Sequence, residues 1–195
     1  MDDIVKQALV KWPNVPHCTG WLMLDRRGQW RLRGKAAQAP LATPGTAIRH
    51  EALLGFINRN YERDDDGQWF FQNGPQRVYV ELAYTPWIVR LADMDGALCL
   101  ADQTGAAFEP AHAWIDDAGG ILFSDDATPT RVAALHDHDI DLFANHATLD
   151  DEGGGGVFHW RDGVDLTLQP IVRDAVGEHF DFVASPAKRA GTQAR

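Results

Sequence analysis

At 195 residues the chain has room for one large domain or two small ones, enough to bury roughly 70% of its unfolded surface. Its 45% hydrophobic and 24% charged residues exclude collagen-like, coiled-coil and disordered classes, and a formal net charge of −10 argues against DNA or RNA as a general partner. No run approaches the ~18 apolar residues of a bilayer span, the N-terminus lacks a secretory signal, and two cysteines cannot form a disulfide framework, so a soluble protein of a reducing cytoplasm is expected.

Asp2 and Asp3 precede Ile4, Val5, Ala8 and Leu9, which predicts a short amphipathic helix ending at Trp12-Pro13. Next comes the most informative signature, Asp-x-x-Gly followed by a large apolar residue. It occurs as Asp25 to Trp30 and as Asp64 to Trp69, with weaker copies starting at Asp102 and Asp116. In each, Asp can accept from backbone two residues on and Gly supplies a left-handed turn position, so a reused hairpin is predicted. The first three copies start 39 and 38 residues apart. Between them, Lys35 to Thr46 is rich in Ala, Pro and Thr and reads as an exposed connection, and Ala47 to Asn60 carries helical periodicity.

The densest β segment runs from Trp69 to Leu91, where turns at Asn73-Gly74-Pro75 and Thr85-Pro86 imply three strands. Short strands are expected at Leu98 to Leu100, Ala113 to Ile115 and Ile121 to Phe123. Helix is expected at Thr130 to His138 and Ile140 to His146. Gly153 to Gly156 suggests a loop tip or hinge, Val157 to Leu168 a hairpin with a type I′ turn at Asp162-Gly163, and residues 187–195 a disordered tail.

The chemistry-bearing motifs are few. His136, His138 and His146, with intervening carboxylates, form the best metal candidate, although helical spacing would splay the first two by about 200°. Asp137-x-Asp139-x-Asp141 lacks the glycine and the bidentate Glu of a calcium loop. His17-Cys18 places a base beside a thiol, but adjacent residues rarely face one another. Serine-hydrolase and nucleotide-binding motifs are missing, so no cofactor is expected. Seven tryptophans could stack on a ligand, yet Trp30 and Trp69 share a repeat position that suits a core anchor. Arg77, Tyr79 and Glu81 share one strand face and, with Arg90, form the expected ligand-binding set for a small anion or carboxylate.

Gly20 to Gly34, Asp65 to Leu82 and Thr85-Pro86 resemble uncharacterised proteobacterial families of unknown function. In pattern they are similar to one whose members have a strand-rich fold of repeated motifs and a suggested role in signalling. That resemblance implies no catalytic residues. The expected architecture is α+β, predominantly antiparallel sheet built from repeated hairpins with two or three covering helices. Its expected parts are residues 1–95, residues 96–186 and the tail 187–195. The expected function is a non-enzymatic binding or regulatory module for a small ligand or protein partner. The alternative is a metal-dependent enzyme using His136, His138 and His146.

Overall fold

The structure, a computed structural model, describes residues 1–34, 45–150 and 154–193. Most of the connection expected at 35–46, residue Gly153 of the glycine run and the last two tail residues lie outside the described residues. The chain divides into two compact units. One comprises Met1–Asp25, Gln29–Tyr84 and Asp181–Arg195, the other Arg26–Gly28 and Thr85–Phe180.

The first unit contains β1 (Cys18–Leu24), β2 (Trp30–Leu32), β3 (Thr46–Ala47), β4 (Tyr61–Arg63), β5 (Trp69–Asn73) and β6 (Gln76–Leu82) in one sheet of order β3-β2-β1-β6-β5-β4. It also holds the helices α1 (Asp3–Lys11) and α2 (Glu51–Arg59). The second unit contains β7 (Trp87–Met94), β8 (Ala97–Asp102), β9 (Ala107–Phe108), β10 (His112–Asp116), β11 (Ile121–Ser124), β12 (Val132–Leu135), β13 (Ala147–Leu149), β14 (Gly156–Arg161) and β15 (Val164–Ile171). Their order is β13-β14-β15-β10-β11-β12-β7-β8-β9. Helices α3 (Ile140–Asn145) and α4 (Val176–His179) belong to this unit, and α5 (Pro186–Gln193) returns to the first.

Antiparallel pairs predominate, as expected, but both sheets are mixed, and the parallel pairs go beyond a sheet built from repeated hairpins. Three antiparallel strands in succession leave an unpaired edge, and exposed edge N–H and C=O groups need partners. In each sheet the first strand of one such triplet satisfies that need by running parallel to the last strand of the next: β1 with β6, β7 with β12, and β10 with β15. Side-chain alternation reports faces, not neighbours, so these parallel pairs leave no local signal. Five α-helices occur among the described residues, where two or three were expected.

The four Asp-x-x-Gly segments close strand pairs with one geometry. Oδ1 of Asp25, Asp64, Asp102 and Asp116 accepts from the N–H four residues on, at 2.9, 2.8, 3.2 and 2.8 Å respectively. The same residues return a backbone N–H to the carbonyl of that partner. In each turn the residue before Asp pairs with the residue five beyond it: Leu24 with Trp30, Arg63 with Trp69, Ala101 with Ala107, and Ile115 with Ile121. The turn glycines all have φ between 71° and 86°.

Core packing follows from this register. Trp30 and Trp69 are both buried and both pack on Tyr61, with ring centroids 5.0 and 4.8 Å apart. In the second unit, Phe123, Phe143, Phe158 and Trp160 centre a separate apolar cluster.

Several local expectations shift. Helix α2 starts at Glu51 because Thr46–Ala47 pairs with β2, and His50 caps it through Nδ1, which accepts from Leu53 N at 3.3 Å. Within the helix expected at 130–138, Val132–Leu135 instead forms β12, an apolar run buried throughout between β11 and β7, where tertiary pairing overrides its helix-compatible letters. At Asp162-Gly163 only the glycine is left-handed. Both central residues of the β7–β8 turn, Asp95 and Gly96, have positive φ, so the type I′ geometry sits there. That hairpin also spans the division expected at 95/96, which instead falls at 84/85. The tail expected to be disordered forms α5 over 186–193.

Gly67 and Gly119 separate turn strain from docking. Both have φ of 77°, but a Cβ on Gly119 meets nothing within 4 Å, whereas one on Gly67 meets Asp181 O at 2.6 Å. Gly119→Ala should cost about 1 kcal/mol from its left-handed backbone, and Gly67→Ala should cost at least about 1 kcal/mol more. Thermal unfolding checks this; equal losses would contradict the docking of Asp181 against the turn.

Candidate functional site

The expected ligand-binding residues do not act as one group. Three lie on β6 in the first unit and are held by the protein itself. Arg77 stacks over the Phe70 ring at 4.4 Å. Tyr79 is buried, and its hydroxyl donates to Asp64 Oδ2 at 3.1 Å; burial, followed by the Asp64 carboxylate, pushes the phenol up. Glu81 is fully buried, and its carboxylate accepts from Ser185 Oγ at 2.6 Å and Ala187 N at 3.0 Å. An anion at the first turn of α5 satisfies N–H groups that have no partner within the helix. Glu81 therefore fastens the C-terminal segment.

Arg90 has a different setting. It lies on β7 in the second unit, opposite Ala101 of β8. Nε donates to Asp139 Oδ2 at 2.6 Å and Nη2 to Asp139 Oδ1 at 2.9 Å, and the same carboxylate accepts Leu91 N at 3.0 Å. The Asp139 side chain is 8% exposed and that of Arg90 56%. Burial works to raise the Asp139 carboxyl, but the bonds from Arg90 and Leu91 outweigh it and hold the group below its usual range. Bonding to Asp139 correspondingly raises Arg90. A bidentate pair fixes the guanidinium plane, so the exposed remainder of Arg90 points in a set direction.

Arg90 lines a cleft of about 390 Å³ together with Arg27, Gly28, Ile88, Gln103 and His136. Two copies of the turn signature supply its walls: Arg27 and Gly28 come from the first, and Gln103 from the third. Arg27 is anchored through Nε and Nη2 to Asp137 Oδ2 at 3.1 and 2.6 Å. That contact is the leading cause holding the Asp137 carboxyl below its usual range. Gln103 Oε1 accepts from Ile88 N at 2.9 Å, which locks its side chain. His136 is buried, and burial lowers its affinity for a proton; the neutral ring accepts His138 N at Nδ1, 3.1 Å away. Each guanidinium thus has its own carboxylate, and the cleft offers oriented N–H donors more than net positive charge.

The metal reading finds no support in this geometry. His136 and His138 lie with ring centroids 4.8 Å apart, but among the described residues no three His, Cys, Asp or Glu side chains gather to hold an ion. His136 instead caps the 3-10 turn at 137–139, and His146 ends α3. Cys18 and Cys99 are free thiols. Sequence reasoning missed Arg27, Gln103 and Asp139. The available signal was position: Arg27 and Gln103 occupy the variable sites of the turn signature, where a long polar side chain projects from a fixed backbone.

Two units of mixed sheet, one carrying an arginine-lined cleft, define a strand-rich α+β protein without a metal-ligand cluster among its described residues. The chain belongs to the family DUF2944, described as a protein of unknown function (DUF2946), whose model matches residues 1–187. Its fold is similar to that of a DUF1285 family protein from Silicibacter pomeroyi DSS-3, with a TM-score of 0.51 and 16% identity over 87% of this chain and 96% of that one. A DUF1285 family protein from Shewanella baltica OS155 matches at a TM-score of 0.40 and 12% identity, covering 65% of this chain and 91% of that one. No curated protein matches. Among the described residues no helix is long and apolar enough to cross a membrane.

Two outcomes test these assignments. Glu81→Ala should release residues 185–189 to hydrogen exchange before the rest of the first unit opens; unchanged protection would contradict its anchoring role. For Asp139, the folded carboxyl is depressed, so its contribution is fully present above the unfolded value of about 3.9 and is lost as pH falls through the folded value. The stability difference between wild type and Asp139→Asn should therefore be constant above about pH 5 and shrink below pH 4. A difference independent of pH in denaturant titrations would contradict the ion pair.

Proposed function

We propose that the protein is a non-enzymatic binding module whose ligand is a small organic anion held in the cleft by Arg90. One observation carries this reading: a guanidinium locked by a buried carboxylate yet more than half exposed in a cleft of about 390 Å³. Two of its five N–H donors are committed to Asp139, and those remaining on Nη1 and Nη2 match the geometry of a carboxylate or phosphate. Gln103 and neutral His136 add polar groups that select the rest of the ligand. The cleft lies within the size range of small-molecule sites.

Binding of this kind suits a regulatory role in which ligand occupancy changes the stability of the second unit. A reducing, cytoplasmic setting accords with the two free thiols.

The test is a thermal-shift and calorimetric screen of the full chain with succinate, citrate, inorganic phosphate and a nucleoside monophosphate. A ligand at about 100 times its Kd adds about 2.7 kcal/mol, a rise of roughly 5–10 °C in Tm for a protein of this size. The rise should disappear in Arg90→Gln and weaken in Arg27→Gln, each compared with its own unliganded Tm. No response to any of the four probes, or an equal response in Arg90→Gln, would overturn the proposal.

A further inference from the structure

A second arrangement of functional groups lies elsewhere in the second unit, on the outer face of the β13–β14–β15 triplet. Phe158, Trp160, Leu166 and Leu168 point inward and are buried, so alternation turns His159 and Asp165 outward. His159 and Asp165 are direct cross-strand partners. Thr148 is paired with Val157, which places it diagonal to His159 on the same face. His159 Nδ1 lies 2.9 Å from Asp165 Oδ1, and His159 Nε2 lies 3.1 Å from Thr148 Oγ1. A hydroxyl, an imidazole and a carboxylate thus stand in hydrogen-bonded series across three strands.

We propose that Thr148 is an activated acyl-acceptor site. The order of groups is the one that converts a weak alcohol into a nucleophile: the base touches the hydroxyl, and a third group fixes the tautomer of the base. With Nδ1–H donating to Asp165, Nε2 accepts the Thr148 proton. Oγ1 then forms a bond to the carbonyl carbon of an activated ester, the tetrahedral centre expels the alcohol, and the imidazolium returns the proton to that leaving alkoxide. The products are a threonine ester and a free alcohol, with no oxidant or metal required.

The setting determines how far the chemistry runs. Thr148, His159 and Asp165 are all exposed, so an external acyl donor can reach the hydroxyl. Donors aimed at the developing oxyanion usually contribute the largest share of acyl-transfer catalysis, and none of the three groups in this exposed series supplies one. The site therefore supports stoichiometric self-acylation, not turnover. It is independent of the Arg90 cleft and compatible with a binding role there. The alternative is an ordinary polar cross-strand contact.

The discriminating experiment treats the full chain with p-nitrophenyl acetate and reads both nitrophenolate release and the acetylated residue by peptide mass mapping. Wild type should release up to one equivalent and carry acetyl on Thr148. Thr148→Ser should retain the reaction, Thr148→Val should lose it, and His159→Gln should slow it about 100-fold, the usual scale of general-base assistance. Because all three side chains are exposed, the variants should fold with unchanged circular dichroism. Acetylation confined to lysines or the N-terminus, or modification of Thr148 at the wild-type rate in His159→Gln, would overturn the proposal.

Discussion

A carboxylate that accepts the N–H four residues ahead of it is the interaction on which most of this structure rests. At Asp25, Asp64, Asp102 and Asp116 it closes the turn, and the glycine that follows supplies the left-handed residue the turn requires. Each bond contributes modestly by itself, but a register slip of one residue would move every side chain of the affected strand to the other face. Fixing the register brings Trp30 and Trp69 onto Tyr61 in the first unit. In the second it pairs Ala101 with Ala107 and holds the Asp102 turn beside the cleft, while the separate Asp95-Gly96 turn sets Arg90 opposite Ala101.

Charged groups divide into those that fasten and those that present. Glu81 fastens: its oxygens are consumed by Ser185 and Ala187, and no part of it reaches solvent. Arg90 presents, because the carboxylate that fixes it is buried while its own side chain stays largely in solvent. An ordinary exposed pair would contribute about 0–1 kcal/mol and hold no fixed geometry. Asp139 differs in also accepting Leu91 N, so its position is set by the backbone of the strand it serves. Arg77, Tyr79 and Glu81 stand with Arg90 as one polar set in the sequence, and what separates them is their partners in the fold: Phe70, Asp64 and the start of α5.

Much of the architecture was legible because it is local. The turn signatures, the first helix, the three strands between Trp69 and Leu91 and the hairpin after the glycine run all come from residue types acting on near neighbours. The parallel pairings were not legible, since they join strands distant in sequence and depend on which edges remain open. Val132–Leu135 was misread as helix because a strand buried throughout has no alternation to display. The site was half legible: Arg90 stood out as a cation on a strand, but its anchor Asp139 lies 49 residues away and its neighbour Arg27 lies in another turn. The pairing of His159 with Asp165 was not legible, because a two-residue turn at Asp162-Gly163 sets His159 opposite Leu166 and only the register shift between His159 and Arg161 brings it to Asp165; alignment with Thr148 further needed the three-strand register.

The central claim is that four aspartates perform one structural task, and amide hydrogen exchange measured residue by residue tests it most directly. The amides of Gln29, Gln68, Ala106 and Gly120 should exchange as slowly as ladder amides of the adjoining strands, and replacing any one of the four aspartates with alanine should speed only its own partner amide before global unfolding. Exchange of these four amides at the rate of an unstructured peptide, or indifference of each to its own aspartate, would contradict the account.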